Sequence, residues 1–251
     1  MALDVFDMHC HLAFWDDAAA GAALMGQAGA GGVCATVTPD EFEGARAALA
    51  GATNVRVGVG LHPWWLCDGR ASEADAARAA ELAGACRYVG EVGLDFAHGR
   101  DGQATLQADA LDKILGACEG GGHVLTVHAV ASATAVLDLL ERHRTLANND
   151  VILHWFSGSG DELARARRMG CLFSVNAFGL ETRRGRAYVR QVPASQLLLE
   201  TDLPGEGAHA AEWGPGRLVG RLRDTLATVC ELRNEDVAER LAATSRRLLE
   251  L

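Results

Sequence analysis

Eight times along the chain a short apolar run gives way to a segment with helical spacing, and few folds accommodate that rhythm. The runs are 3–9, 32–38, 55–62, 87–95, 123–129, 150–156, 171–177 and 197–202, rich in Val, Leu and aromatics. Near-continuous apolar stretches of this length suit strands buried on both faces of a parallel sheet. Between them, 40–51, 72–84, 103–119, 132–147 and 161–169 are Ala-, Leu-, Glu- and Arg-rich, with glycines closing several ends, as at Gly170. The segment 180–192 is short and arginine-rich, and 213–251 reads as two closing helices. The alternation predicts an α/β chain folded as a (β/α)8 TIM-like barrel, one domain over 1–251. An open doubly wound sheet is the rival, and it would need a switch point that the sequence does not offer. No G-x-G-x-x-G follows a strand and no G-x-x-x-x-G-K-[ST] loop occurs, so dinucleotide and P-loop readings have no motif to rest on.

In that frame the polar residues at the strand ends stand out. "MHCHL" places His9 and His11 two apart, and in extended backbone such residues face the same side. His62 ends the third run, Glu91 lies in the fourth, His128 nearly ends the fifth, His154 is late in the sixth and Asp202 ends the eighth. A lone buried histidine is usually a satisfied core residue, and a strand-end aspartate often caps the next element. Seven such positions on six strands, all toward the carboxyl ends where barrel enzymes build their sites, make coincidence a poor account. Imidazole with carboxylate suits zinc, and also manganese, iron or nickel. Six strong ligands exceed the needs of one tetrahedral ion, so two ions bridged by a carboxylate are expected, with Glu91 as the natural bridge. His123 and His143 read as structural or solvated, while His98 and His209 are candidates for the border of the site.

Composition limits the partners. A formal charge of −10 argues against a broad basic face that coats nucleic acid, though metal ions can supply positive charge locally. Seven cysteines without CxxC spacing, and a start, "MALDVFD", with no signal-peptide pattern, point to reduced thiols and a cytoplasmic protein. No stretch approaches the length of a membrane span.

The set "MHCHL", "GLHPWW", "GEVGLDF", "VH", "ILHWFSGS" and "LLLETDLP", in this order and spacing, resembles the TatD family of metal-dependent deoxyribonucleases, within the amidohydrolase-like barrels. The likeness runs from residue 7 to about 204. It implies a metal-dependent hydrolase acting on ester bonds, a nuclease that cleaves DNA, often from an end. DNA would enter single-stranded or by its terminus. The resemblance implies one to three divalent ions, and with the ligand count two (Zn, Mg or Mn) are the expected cofactors. Carried over by position, His9, His11 and Asp202 would bind the first metal, Glu91 would bridge, and His128 and His154 would complete the second. His62 would touch the scissile phosphate or a further metal, and Asp202 would be the general base or water-orienting group. Asp202, Glu91 and His62 are therefore the expected catalytic residues.

Three departures bear on the substrate. Val130 stands where the family carries a basic residue after the strand-five histidine, Trp155 stands where Cys is common, and "LPGEGAHAAEWG" lacks the usual proline-rich loop. Arg183, Arg184 and Arg186, after strand seven, are candidates to replace the missing phosphate contact, against the alternative of a solvated loop. Trp64, Trp65 and Trp155 are expected to pack rather than to stack bases. Ser157 and Ser159 read as turn and cap residues, with no covalent nucleophile required. The rival activity is a metal-dependent amidohydrolase acting on a small amide, lactone or nucleobase. A barrel without turnover, serving as a partner in an assembly, is the non-enzymatic rival.

Overall fold

A computed structural model describes residues 3–206 and 212–251. The strands are β1 (Val5–Cys10), β2 (Ala30–Ala35), β3 (Val55–Leu61), β4 (Tyr88–Asp95), β5 (Val124–Val130), β6 (Asp150–His154), β7 (Leu172–Val175) and β8 (Leu197–Leu199). They form one sheet in the order β1-β2-β3-β4-β5-β6-β7-β8. Pairs such as β1–β2, β4–β5 and β7–β8 are parallel. The connections carry α1 (Ala18–Gln27), α2 (Pro39–Ala48), α3 (Pro63–Cys67), α4 (Glu73–Ala85), α5 (Ala104–Ala117), α6 (Ala133–Arg142), α7 (Gly160–Met169), α8 (Ala177–Leu180) and α9 (Arg183–Gln191). Two further helices, α10 (Pro215–Arg233) and α11 (Ala238–Leu249), come after β8. The eight strands in sequence order are those of the (β/α)8 TIM-like fold expected from the alternation. Among the described residues no helix is long and apolar enough to cross a membrane.

By compactness the chain divides into two units. The first comprises Met1–Cys34, Gly44–Val57 and Phe173–Leu251, the second Ala35–Glu43 and Gly58–Leu172. In the first, β1 is buried along its whole length, polar Asp7 and His9 included. The chain around Thr201 runs beside it: the Thr201 amide donates to Asp7 Oδ1 at 2.9 Å and the Asp202 amide to the His9 carbonyl at 3.0 Å. The His11 amide donates to the Leu203 carbonyl at 2.9 Å. Helix α9 starts with Thr182 as its N-cap, the hydroxyl accepting from the Gly185 amide at 2.9 Å.

In the second unit, β4 and β5 pair with Gly93 opposite His128. A Cβ on Gly93 would lie 2.1 Å from the His128 carbonyl oxygen, and its φ is +149°, so only glycine brings the two strands this close. Cores under α5 and α6 are formed by Leu111, Ile114, Leu115, Leu137 and Leu140, each at most 1% exposed. Ser72 and Ser159 close capping boxes with Asp75 and Glu162 at the starts of α4 and α7, and the cap expected of Ser159 is what the structure shows.

Candidate metal centre

A tight polar cluster lies in the second unit. Glu91 Oε1 sits 2.7 Å from His128 Nδ1, 2.8 Å from His154 Nε2 and 3.2 Å from His62 Nε2. His128 Nδ1 and His154 Nε2 are themselves 3.2 Å apart. All four residues are buried. His154 ends β6, His128 lies near the carboxyl end of β5 and His62 stands just beyond β3, where their apolar runs close, whereas Glu91 lies midway along β4.

Two of the rings are oriented from behind. The Trp64 amide donates to His62 Nδ1 at 3.0 Å, so a neutral His62 carries its proton on Nε2 and presents a donor rather than a lone pair. His128 Nε2 meets Asp95 Oδ2 at 3.0 Å, so its Nδ1 lone pair faces Glu91. A lone pair aimed at a carboxylate oxygen is stable only with a positive charge between them, either protons or a cation. The donor set therefore fits a divalent ion, with a carboxylate behind the ligating histidine fixing its tautomer. Asp95 also accepts from the Trp64 indole at 2.7 Å and the Ala97 amide at 2.8 Å. Its backbone is clasped by Gln107, which accepts from the Asp95 amide at 2.7 Å and donates to its carbonyl at 2.9 Å.

These contacts set the electrostatics. Burial pushes the Glu91 carboxyl up, but the charges of His62 and His154 and the bonds from His128 and His154 outweigh it and hold it well below the usual range. Burial likewise opposes Asp95, yet bonds from His128 and Trp64 hold it down to about 2. His128 is pulled down by burial and raised, on balance, by Asp95 and Glu91.

The first unit holds the other expected ligands. Asp202 Oδ1 lies 3.2 Å from His11 Nε2 and 3.6 Å from His9 Nε2. Asp202 has φ +58°, a left-handed backbone that aspartate tolerates better than most residues, and its side chain is 19% exposed. Behind it, buried Asp7 accepts from the Thr201 hydroxyl at 2.5 Å and the His9 amide at 3.3 Å. Burial pushes the Asp7 carboxyl up to about 8, against the bonds from Thr201. Cys10 turns away from the histidines, its thiol donating to the Val33 carbonyl at 3.2 Å.

The other candidates lie outside these two groups. Arg183, Arg184 and Arg186 are exposed in the first turn of α9, after β7. Trp64 packs against Asp95 and Arg100, Trp65 lies under Arg70, and Trp155 is 39% exposed. His123 is tied to the Cys86 carbonyl at 2.7 Å and His143 to Asp112 and Glu119, as structural residues. His209 lies outside the described residues. Asp7, Asp95 and Gln107 escaped the sequence reading, although Asp7 and Asp95 share strand faces with His9 and Glu91 at spacings of two and four.

A family model of TatD-related DNases matches residues 6–250. The chain belongs to this family. A TatD homologue of Escherichia coli K12 superposes with a TM-score of 0.82 over 100% of both chains at 25% identity. A TatD-family hydrolase of Entamoeba histolytica does so at 0.79, covering 99% of this chain and 98% of the other, with 13% identity. In sequence, the deoxyribonuclease Tat-D of Schizosaccharomyces pombe is 28% identical over 181 residues, 67% of this chain and 58% of that protein. The 3'-5' ssDNA/RNA exonuclease TatD of Edwardsiella piscicida is 32% identical over 119 residues, 46% of this chain and 45% of that one. The chain thus spans about half the length of the curated relatives it matches.

Proposed function

We propose that this TatD-family chain, acting as a single catalytic domain, is a metal-dependent deoxyribonuclease that shortens DNA from an end and prefers single strands. The observation that carries the reading is the convergence of three histidine nitrogens on one Glu91 oxygen within 3.2 Å. His128, His154 and Glu91 would hold one divalent cation, and His9, His11 and Asp202 a second. Two such cations, when bound, neutralise the phosphate and make water a better nucleophile at neutral pH. The TatD relatives described as a deoxyribonuclease and as an ssDNA/RNA exonuclease support the substrate class.

Each side chain then has a role. Asp202, partly exposed and on strained backbone, orients the attacking water and accepts its proton. His62, fixed as an Nε2–H donor by the Trp64 amide, hydrogen-bonds a non-bridging oxygen of the scissile phosphate. Asp95 keeps His128 in the tautomer that ligates through Nδ1. Arg183, Arg184 and Arg186 are offered as contacts to the DNA backbone, and replacing all three with Ala without change in turnover or salt dependence would remove them from the site.

The test is hydrolysis of end-labelled single- and double-stranded DNA by protein reconstituted with Mg, Mn or Zn. A ladder shortened from one end, lost in Glu91→Ala and Asp202→Ala, is the expected result. Absence of cleavage under all three metals refutes the nuclease reading and turns the search to small amides, lactones or nucleobases.

A further inference from the structure

Within the first unit, the segments after β1, β7 and β8 meet in an aromatic and arginine cluster that the metal chemistry does not use. After β1, the Trp15 indole donates to the Trp213 carbonyl at 3.0 Å, and Phe14 stacks on His11 at 5.2 Å. After β7, Phe178 lies in α8, four residues ahead of the Thr182 cap of α9. After β8, Trp213 precedes α10, a helix of 19 residues whose N-cap, Gly214, brings no side-chain acceptor.

Arg221 on α10 lies with its guanidinium 4.4 Å from the centre of the Phe178 ring and 5.3 Å from that of Trp213. Arg217, one turn earlier on the same helix face, lies 5.0 Å from Trp213 and donates one hydrogen bond, to the Glu212 carbonyl at 2.6 Å. Among the described residues neither faces a carboxylate, unlike several other arginines of the chain. Arg78, Arg142, Arg165 and Arg246 each face a carboxylate. Arg221 contacts rings alone: among the described residues its guanidinium makes no hydrogen bond and no ion pair. Rings hold a guanidinium by its faces and leave its N–H edge open, and five donors in a planar fork match a phosphate.

We propose that Arg221, with Arg217 beside it, binds backbone phosphates of the nucleic-acid strand away from the scissile bond, with Phe178 and Trp213 as the residues that position the two guanidiniums. The proposal rests on the nuclease reading for its substrate. It also supplies what the chain lacks elsewhere, since Val130 stands in place of a basic residue after His128 and the net charge is −10. Trp213 comes after Asp202 in the chain, and the Trp15 bond ties it to the segment after His11, so the contact is built beside the segment that carries His9 and His11.

The experiment compares wild type, Arg221→Met, Arg217→Met and the double variant in three assays. The first is anisotropy of a labelled single-stranded oligonucleotide bound to metal-free protein at several salt concentrations. The second is hydrolysis of that oligonucleotide, and the third is hydrolysis of bis(p-nitrophenyl) phosphate, a diester with no flanking phosphate. Arg221→Met is expected to weaken oligonucleotide binding roughly tenfold, the weight of a charge-assisted hydrogen bond. The slope of log affinity against log salt should become shallower by about 0.7 for each phosphate no longer neutralised. In hydrolysis the loss should appear in KM for the oligonucleotide, with the small diester turned over as by wild type. An unchanged salt slope, or an equal loss on both substrates, overturns the inference. Arg217→Met, at an exposed position, repeats the test without risk to folding, and Trp213→Leu should weaken the oligonucleotide through the same KM. If wild type cleaves neither substrate yet the Arg variants still lose oligonucleotide binding, the nuclease reading fails and the phosphate contact stands.

Discussion

Two buried aspartates back the two groups of proposed ligands, and their environments push them in opposite directions. Asp7, behind His9, is raised to about 8, whereas Asp95, behind His128, is lowered to about 2. Both are desolvated, Asp7 the more deeply, and both accept several hydrogen bonds, so bond count does not separate them. The partners do. Asp7 is met by neutral donors, the Thr201 hydroxyl and two amides, with the buried Glu200 carboxylate nearby pushing in the same direction as burial. Asp95 is met by an imidazole that takes up charge and by an indole. A carboxylate inside a protein stays ionised when a partner shares its charge, not merely when it is hydrogen-bonded. The Asp95 side is therefore an ionic scaffold ready for a cation, and the Asp7 side is a neutral brace that holds the Thr201–Asp202 turn against β1.

The largest effect expected from this contrast separates holding from reacting. Glu91→Ala leaves three converging imidazoles without their carboxylate, and should abolish metal retention after dialysis and lower turnover on the order of a thousandfold or more. Asp202→Asn keeps the shape of the other group and should lose turnover on the order of a hundredfold while retaining metal at the Glu91 group, read by elemental analysis. Equal metal loss in both variants would break the distinction.

Asp95→Asn comes next. It removes the acceptor charge that fixes the His128 tautomer, and such supporting carboxylates are worth about 10–100-fold in metal affinity or activity. The expected result is weaker metal binding by calorimetry with the Trp64 fluorescence altered, since the indole donates to the same oxygen. Wild-type affinity in Asp95→Asn would show that Asp95 serves packing alone.

Asp7 should show its effect in stability. A carboxyl raised in the folded state is protonated there while its unfolded counterpart ionises, so stability of metal-free protein falls as pH rises from about 4 to about 8. Asp7→Asn has no proton to lose and should flatten that decline, melting higher than wild type at pH 7.5. Asp95 has the opposite sign: its contribution is present above its ordinary value and is lost only as pH falls through about 2. A wild-type melting profile that rises between pH 4 and 8 would contradict the account of Asp7.

Most of this architecture is written in the order of residues, for a local reason. Each proposed ligand on β1, β5 and β6 sits at or near the carboxyl end of an apolar run, so run boundaries alone place His9, His128 and His154, whereas Glu91 lies midway along β4. The boundaries themselves shift where a polar residue finds a better use. The run 171–177 yields a strand ending at Val175 because Asn176 caps α8, accepting from the Gly179 amide at 2.7 Å. Asp7 and Asp95 were readable from strand alternation, but a buried aspartate next to a ligand carries no mark that tells support from ligation. The Arg221 cluster was not readable at all. Its members come from residues 178, 213 and 221, and only folding brings these three segments to one place.

The smallest expected effect is also the one that cleans the pH profile. His143, the C-cap of α6, meets Asp112 Oδ1 at 3.0 Å and Glu119 Oε1 at 2.8 Å. Burial pulls its imidazole down, but the bonds from Asp112 and Glu119 outweigh it and raise it above the ordinary value. A histidine raised in the folded state stabilises through its charged form. Its contribution is therefore whole below about pH 6.5 and fades as pH climbs through the folded value. The partner side chains are 42% and 58% exposed, so solvent screens the pair and it is worth less than about 1 kcal/mol. In a chain of this length that is about 2–4 °C in Tm at most. His143→Gln should melt below wild type at pH 5.5 and together with it at pH 9. A gap of the same size at both values would mean that the imidazole acts by packing. A gap that closes assigns a part of the decline centred above pH 6.5 to this surface triad. The decline that survives in His143→Gln is shared by Asp7 and the raised His128, with Asp7→Asn removing only the Asp7 share.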